Sequence, residues 1–328
     1  MNASMSTRVL TADSGAIAAA AQALSAVGLV AFPTETVYGL GADATDGTAV
    51  ARLYAAKGRP SFNPLIAHVP DLAAARALAV FDAPAERLAN AFWPGPLTLV
   101  LPKTPACPVA DLATAGLDSI AVRLPAHPVA QALLAAFGKP VVAPSANRSG
   151  HVSPTTAVHV LADLGGRIDL VLDAGATQVG VESTIVACLD GGPALLRPGG
   201  LPRAEIERVL GVPLADASYE ATDEDGVIAP GMLASHYAPR ARLRLDAAEA
   251  RDGEVLLAFG EPPAARPKQI LNLSKRGDLV EAAANLFSHL RALDAAGATA
   301  IAVMPVPHEG LGEAINDRLR RAAAPRSS

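Results

Sequence analysis

Short apolar runs of strand length alternate with segments of helical period over the first two thirds of the chain. The candidate strands cover residues 29–32, 65–68, 97–101, 120–123, 141–143, 170–173, 183–188 and 194–197, and the candidate helices cover 49–56, 72–79, 86–91, 127–137 and 155–164. Runs that alternate in this way predict an α/β domain, a sheet whose two faces are covered by helices. Several of the apolar runs end in hydroxyl, amide or guanidinium side chains. The carboxyl ends of strands are where open α/β sheets bind ligands, so these positions are the first place to look for chemistry.

The chain has 328 residues, of which 51% are hydrophobic and only 4% aromatic. A large core built mainly from Ala, Val and Leu follows. Net charge is −5, which argues against a broad basic face for nucleic acid and leaves room for a local basic pocket. Cys107 and Cys188 are far apart and form no CxxC pair, so neither a disulfide framework nor a zinc site is expected. Residues 14–34 carry no charge. They are mostly alanine and are interrupted at Gly28, and they read as a helix followed by a short strand rather than a membrane span or leader. A cytoplasmic protein with no membrane association is expected.

Three units are predicted: a catalytic domain at 1–210, a linker at 211–239 and a small α/β domain at 240–328. The linker holds an acidic stretch at 219–226 and the segment PGMLASHYAP at 230–239. In the last unit, 255–259 and 300–304 read as strands, and 279–295 and 312–323 as helices.

There is no GxxxxGK[ST] loop, no GxGxxG after a strand, no HExxH and no GxSxG. Five strand-end segments remain. In PTETVYGLG (33–41), two hydroxyls, a carboxylate and a phenol follow a strand, with glycines that allow close backbone approach; by itself this reads equally as a polar turn. In KGRPSFNPL (57–65), Lys57 and Arg59 flank a glycine on a stiff loop where both can face one polyphosphate, although a basic helix C-terminus reads the same way. Ser145, Asn147, Ser149 and Ser153 follow the 141–143 strand and suit an anion-binding concavity, or an ordinary polar loop. Arg123 stands in an apolar strand and needs a partner, either a structural ion pair or a carboxylate supplied by substrate. Arg197 and the GVESTIV segment (180–186) together form the fifth. His68, alone at a strand end, says little.

In order, PTETVYGLG, KGRPSFNPL, WPGPLTLVL, AVRLP, APSANRSG, GVESTIV and LRPG resemble the YrdC-like threonylcarbamoyl-adenylate synthases, in the long form that carries a linker and a second domain. The K-x-R and S-x-N pairing is intact as Lys57, Arg59, Ser145 and Asn147. The resemblance implies a YrdC-like twisted mixed sheet followed by a smaller Rossmann-like domain. It implies a nucleotidyltransferase that converts L-threonine, bicarbonate and ATP into threonylcarbamoyl-AMP and diphosphate, with Mg2+ held mainly by the ATP phosphates and no protein metal site. The product would pass to a tRNA threonylcarbamoyl transferase machinery that modifies the adenosine next to the anticodon. Position by position, Thr36, His68, Arg123 and Ser183 would contact threonine. Arg59, Asn63, Ser119, Ser145, Ser153, Arg197 and Tyr237 would contact ATP, and Thr34 and Tyr38 would complete the pocket. Lys57, Arg59, Ser145 and Asn147 would carry catalysis. The linker would fold over the site and bring Tyr237 to the nucleotide.

Two other readings are open to such a chain. A double-stranded RNA-binding module with direct tRNA contact fits a concave domain but not a net charge of −5 or the lack of aromatic-rich basic segments. A carbamoyl-transfer domain of metal-enzyme maturation would be accompanied by cysteine-rich zinc motifs, which this sequence lacks.

Overall fold

The computed structural model describes residues 6–216, 237–263 and 267–325. Most of the linker, His236 included, lies outside them. The first part of the chain runs β1 (Arg8–Thr11), α1 (Ser14–Ser25), β2 (Val30–Pro33), β3 (Tyr38–Asp43), α2 (Gly47–Lys57), β4 (Ile66–His68), α3 (Leu72–Leu78), α4 (Ala83–Phe92), β5 (Leu97–Pro102), α5 (Asp111–Thr114), β6 (Ser119–Arg123), α6 (Pro128–Phe137), β7 (Val141–Val142), α7 (Ala157–Leu164), β8 (Leu170–Asp173), β9 (Thr184–Leu189), β10 (Gly192–Arg197), α8 (Arg203–Leu210) and β11 (Ala215–Asp216). The second part holds β12 (Arg242–Arg244), β13 (Val255–Ala258), β14 (Ile270–Asn272), α9 (Leu279–Ala295), β15 (Ala300–Val303) and α10 (Leu311–Ala323).

Capping chemistry fixes several helix starts. The Asp13 carboxylate accepts from Ala16 N at 2.8 Å and begins α1, and Asp46 does the same for α2 through Thr48 N and Ala49 N. The α1 chain reverses at Gly28, whose N–H reaches Ala23 O at 2.7 Å. A Cβ there would lie 2.6 Å from that oxygen, so only glycine fits the turn.

The β1–β11 strands form one mixed sheet in the order β1-β8-β2-β3-β7-β4-β6-β5-β9-β10-β11. Period-two alternation sends successive side chains to opposite, equally dry faces. In β2, Ala31 faces a core shared with Leu53 of α2 and Leu88 of α4. Val30 and Phe32 face the other core, with Leu24 of α1 and Leu133 of α6. The second sheet is parallel throughout, in the order β12-β15-β13-β14.

The expected α/β class is present, with one informative difference. Residues 38–41, read from sequence as part of a polar turn, belong to β3, which pairs antiparallel with β2 from Pro33↔Tyr38 to Val30↔Gly41. Two glycines and an aspartate disguise this strand. Its glycines make room for neighbouring protein rather than for a ligand: a Cβ on Gly41 would meet the Phe32 ring at 2.9 Å and the Val141 side chain at 3.0 Å. The edge strands β1 and β11, the short α5 and α8, and β12 and β14 also went unread. They are two to eight residues long, too short for either period to register.

The two parts share a core. Val37, Val152 and Val181 of the first pack in one cluster with Leu286, Phe287 and Leu290 of α9. Around it run Arg291–Asp163 at 2.8 Å, Arg203–Glu313 at 2.8 Å and Arg318–Glu182 at 2.7 Å. Among the described residues no helix is long and apolar enough to cross a membrane.

Gly180 sits where the two parts touch, at φ +79° with α9 directly above. A Cβ would lie 2.3 Å from Ala283 O and 2.4 Å from Ala284 Cα. Both the left-handed backbone and the backbone clash resist substitution. Gly180→Ala should cost about 2–4 kcal/mol in chemical denaturation, whereas Gly297→Ala, at φ +80° with open space around it, should cost clearly less.

Candidate active site

The sheet delivers its polar strand ends to one small cavity of about 50 Å³, lined by Thr36, Arg59, His68, Arg123, Ser145, Glu182, Ser183, Arg197 and Tyr237 among others. Beyond the Gly58–Pro60 loop, between the two parts of the chain, lies a wider cleft of about 1160 Å³. Arg148, His151, Arg240 and Arg291 line it.

The β2–β3 turn is organised by Thr34. Its hydroxyl donates to Val37 O at 2.6 Å and accepts from the Thr36 hydroxyl at 2.7 Å. The Thr36 oxygen therefore keeps its lone pairs for the cavity. Thr34 shapes the turn and does not line the cavity. Nor does Tyr38, whose hydroxyl donates to Gly175 O at 2.7 Å. Burial pushes the Tyr38 phenol up to about 12.

His68 ends β4 and Arg123 ends the adjacent parallel β6, in register with each other. The His68 Nδ1 lies 3.1 Å from Ile66 O, a group that only accepts, so the neutral ring carries its proton there and leaves Nε2 as the acceptor. Burial, then the Arg123 charge, pushes its pKa down to about 3. Arg123 is 4% exposed. The carboxylate partner expected from substrate is already supplied by the protein: Nη2 donates to Glu35 Oε1 at 2.6 Å, and Nε to Gly95 O at 3.3 Å. Burial pushes the Glu35 carboxyl up, but the Arg123 charge and the backbone N–H of Ala126 outweigh it and leave the group below its ordinary range.

Lys57 and Arg59 do not face the same way. Lys57 is the last residue of α2, buried, and its ammonium donates to Ser145 O at 2.5 Å and to Asn147 O. It braces the Ser145–Asn147 loop from behind and is absent from the cavity wall. Burial first, then the Arg59 charge, pushes its pKa well below the usual lysine value. Arg59 is half-buried. It lines the cavity and donates to Asn63 O at 3.3 Å and Pro64 O at 3.1 Å.

On the far wall Arg197 donates to Ser183 O at 2.8 Å and to Ser183 Oγ at 3.3 Å. Ser183 also shares a hydrogen bond with Thr98 at 2.7 Å. The Ser153 hydroxyl donates to Glu182 at 2.5 Å and stands behind the lining. Tyr237 is buried at φ +63°, stacked on Phe287 at 5.6 Å, with the Arg318 guanidinium 5.1 Å from its ring. Ser119 is half-buried at the start of β6, opposite Pro102 and four residues from Arg123, away from the cavity. Asn63 and Asn147 are buried behind the wall, and among the described residues neither side-chain oxygen has a hydrogen-bond partner.

Sequence reasoning missed Glu35 and Glu182. Each is a buried acid paired with a buried arginine, Arg123 and Arg318. The signal for Glu35 was the isolated Arg123, since a buried guanidinium requires an anion; the fold decides which acid answers it, because Glu35 follows β2, which is separated from β6 by three strands of the sheet.

A buried neutral histidine makes stability depend on pH. With its folded pKa near 3 and an unfolded value near 6.5, His68 binds more protons unfolded than folded between those limits. Stability therefore falls as pH drops through that window, by at most about 1.4 kcal/mol per pH unit. Urea unfolding between pH 7 and 5 should show His68→Gln with a shallower loss than the unsubstituted protein; equal slopes would mean that the imidazole is protonated in the folded state.

Residues 22–199 match the family model described as "Telomere recombination", and residues 201–324 match that of the "Threonylcarbamoyl-AMP synthase, C-terminal domain". The threonylcarbamoyl-AMP synthase of Pyrococcus abyssi is 44% identical over 90% of this chain and 90% of its own length. That of Bacillus subtilis is 41% identical over 97% and 95%. The crystal structure of P. abyssi Sua5 complexed with L-threonine superposes with a TM-score of 0.87 at 40% identity, covering 97% of both chains. Two consecutive family models and full-length relatives agree with the fold and with the convergence of strand ends on one cavity: this chain belongs to the threonylcarbamoyl-AMP synthase family.

Proposed function

We propose that the chain makes threonylcarbamoyl-AMP from L-threonine, bicarbonate and ATP, with release of diphosphate. The observation that carries this is the convergence of Thr36, Arg59, His68, Arg123, Ser145, Ser183, Arg197 and Tyr237 on one cavity. The wall offers acceptors and guanidinium donors and no activated nucleophile; the thiol of buried Cys188 lies elsewhere, pushed up to about 12 by burial. Such a wall suits a reaction between two substrates that need only orientation and charge stabilisation.

In this reading Thr36 Oγ and His68 Nε2 accept from the threonine ammonium or hydroxyl, and Arg123 and Ser183 face its carboxylate. The threonine amine bonds to the bicarbonate carbon with loss of water. The resulting carbamate oxygen bonds to the α-phosphorus while the bond to the diphosphate breaks. Arg59 and Arg197 are the lining cations that would meet the phosphates. The wider cleft beyond the Gly58–Pro60 loop has the volume and the arginines for the rest of a nucleotide.

Mg2+ would enter on the ATP phosphates. Among the described residues the cavity has one lining carboxylate, Glu182, which is already bonded to Ser153 and Arg318, and no group of three or more His, Cys, Asp or Glu is placed to hold a metal. This donor set fits an ion whose ligands are mainly phosphate oxygens. When bound, the ion supplies charge neutralisation on the triphosphate. The product would then be consumed by a tRNA threonylcarbamoyl transferase acting at the adenosine beside the anticodon.

Diphosphate release tests the proposal. It should require ATP, bicarbonate and threonine together, and release that continues without threonine would overturn the substrate assignment. In the same assay Arg59→Ala should lose about 2–4 kcal/mol of transition-state stabilisation, while near-normal turnover would remove Arg59 from the mechanism.

A further inference from the structure

A guanidinium has two edges that can each grip a carboxylate: the side edge formed by Nε and Nη2, and the end edge formed by Nη1 and Nη2. In Arg123 the side edge is fully used by protein. Nε donates to Gly95 O at 3.3 Å and Nη2 to Glu35 Oε1 at 2.6 Å. Nη1 has no hydrogen-bond partner among the described residues, and Arg123 lines the cavity. Glu35 does not line it. Its carboxylate is held from behind, with Oε2 accepting from Ala126 N at 3.0 Å, and its backbone carbonyl accepts from Val179 N at 2.8 Å.

We infer that Glu35 is a positioning residue for the amino-acid substrate: it locks the side edge of Arg123 so that the end edge is presented to the substrate carboxylate. The inference rests on the proposed reaction and deepens its amino-acid half.

Two opposing effects of Glu35 decide what its removal does. It orients Arg123, which favours substrate, and it offsets the Arg123 charge, which disfavours a second anion. Orientation wins for a geometric reason. The substrate carboxylate meets the guanidinium edge-on and in plane, and an arginine whose side edge is free can rotate to satisfy itself on backbone carbonyls. The contact with Gly95 O at 3.3 Å is too weak to hold the plane alone. A pure charge competitor would instead sit on the cavity side of the guanidinium, and Glu35 sits on the other.

The test uses the full-length protein and diphosphate release, titrating threonine and ATP separately. Glu35→Gln keeps an acceptor for Nη2 but cannot accept from Ala126 N with its amide end. Glu35→Ala removes both bonds. The threonine KM should rise by at least about tenfold in Glu35→Ala and by less in Glu35→Gln, while the ATP KM and the kcat at saturating threonine stay within about threefold of the unsubstituted protein. Calorimetric titration with threonine alone should show the same ordering. An unchanged or lower threonine KM in both variants would make Glu35 a mere counter-ion. Equal rises for threonine and ATP would make it a structural residue. Should Glu35→Ala fail to fold, the near-isosteric Glu35→Gln decides between these outcomes. Diphosphate release by the unsubstituted protein that is indifferent to threonine would sink the substrate reading, a result distinct from any difference among the variants.

Discussion

Charge that is buried around the cavity has to be answered by the protein, and much of this structure is the consequence. Arg123, Arg318 and Lys57 are each at most 4% exposed. Each would be prohibitively costly if left alone in a dry interior. Arg123 is answered by Glu35, Arg318 by Glu182 and Asp317, and Lys57 by two backbone carbonyls. Buried pairs of this kind contribute little net stability because desolvation offsets their attraction. Their effect here is directional: each one fixes where a cavity-lining group points.

Glu182 joins the two parts of the chain to the site. Its neighbour Ser183 bonds Arg197 on the cavity wall and Thr98 behind it, while its own carboxylate takes Ser153 from the first part and Arg318 from α10 of the second. Arg318 in turn lies against the Tyr237 ring, and Tyr237 stacks on Phe287 of α9. The second part is therefore built into the back wall of the cavity. The apolar cluster around Leu286 and Phe287 holds it there.

The two basic residues of the KGR loop divide their work by depth. The last turn of α2 sends Lys57 inward against the Ser145–Asn147 loop, and the left-handed Gly58 that caps the helix turns the chain so that Arg59 reaches the cavity. A spacing of two residues on either side of a helix end puts the side chains on different faces, so two cations that look like a pair in sequence are a brace and a wall.

Sequence alone determined the alternation of strand and helix, the order of the main elements and the polar strand ends, because period and capping chemistry are local. The apolar runs at 97–101 and 170–173 and the helix at 279–295 stand where they were read. Sequence also carried the motifs from which the family was recognised. Tertiary structure decided which polar ends converge. Thr36, His68, Arg123, Ser183 and Arg197 lie at or beside the ends of strands spread from β3 to β10 across the sheet, while Thr34, Tyr38 and Ser119 from the same segments do not reach the cavity. Partner choice was also settled only in three dimensions: Glu35 and Arg123 stand 88 residues apart, and nothing local links them. The β3 strand was hidden for the same reason, because its glycines satisfy packing against Phe32 and Val141, residues that only the folded sheet brings near.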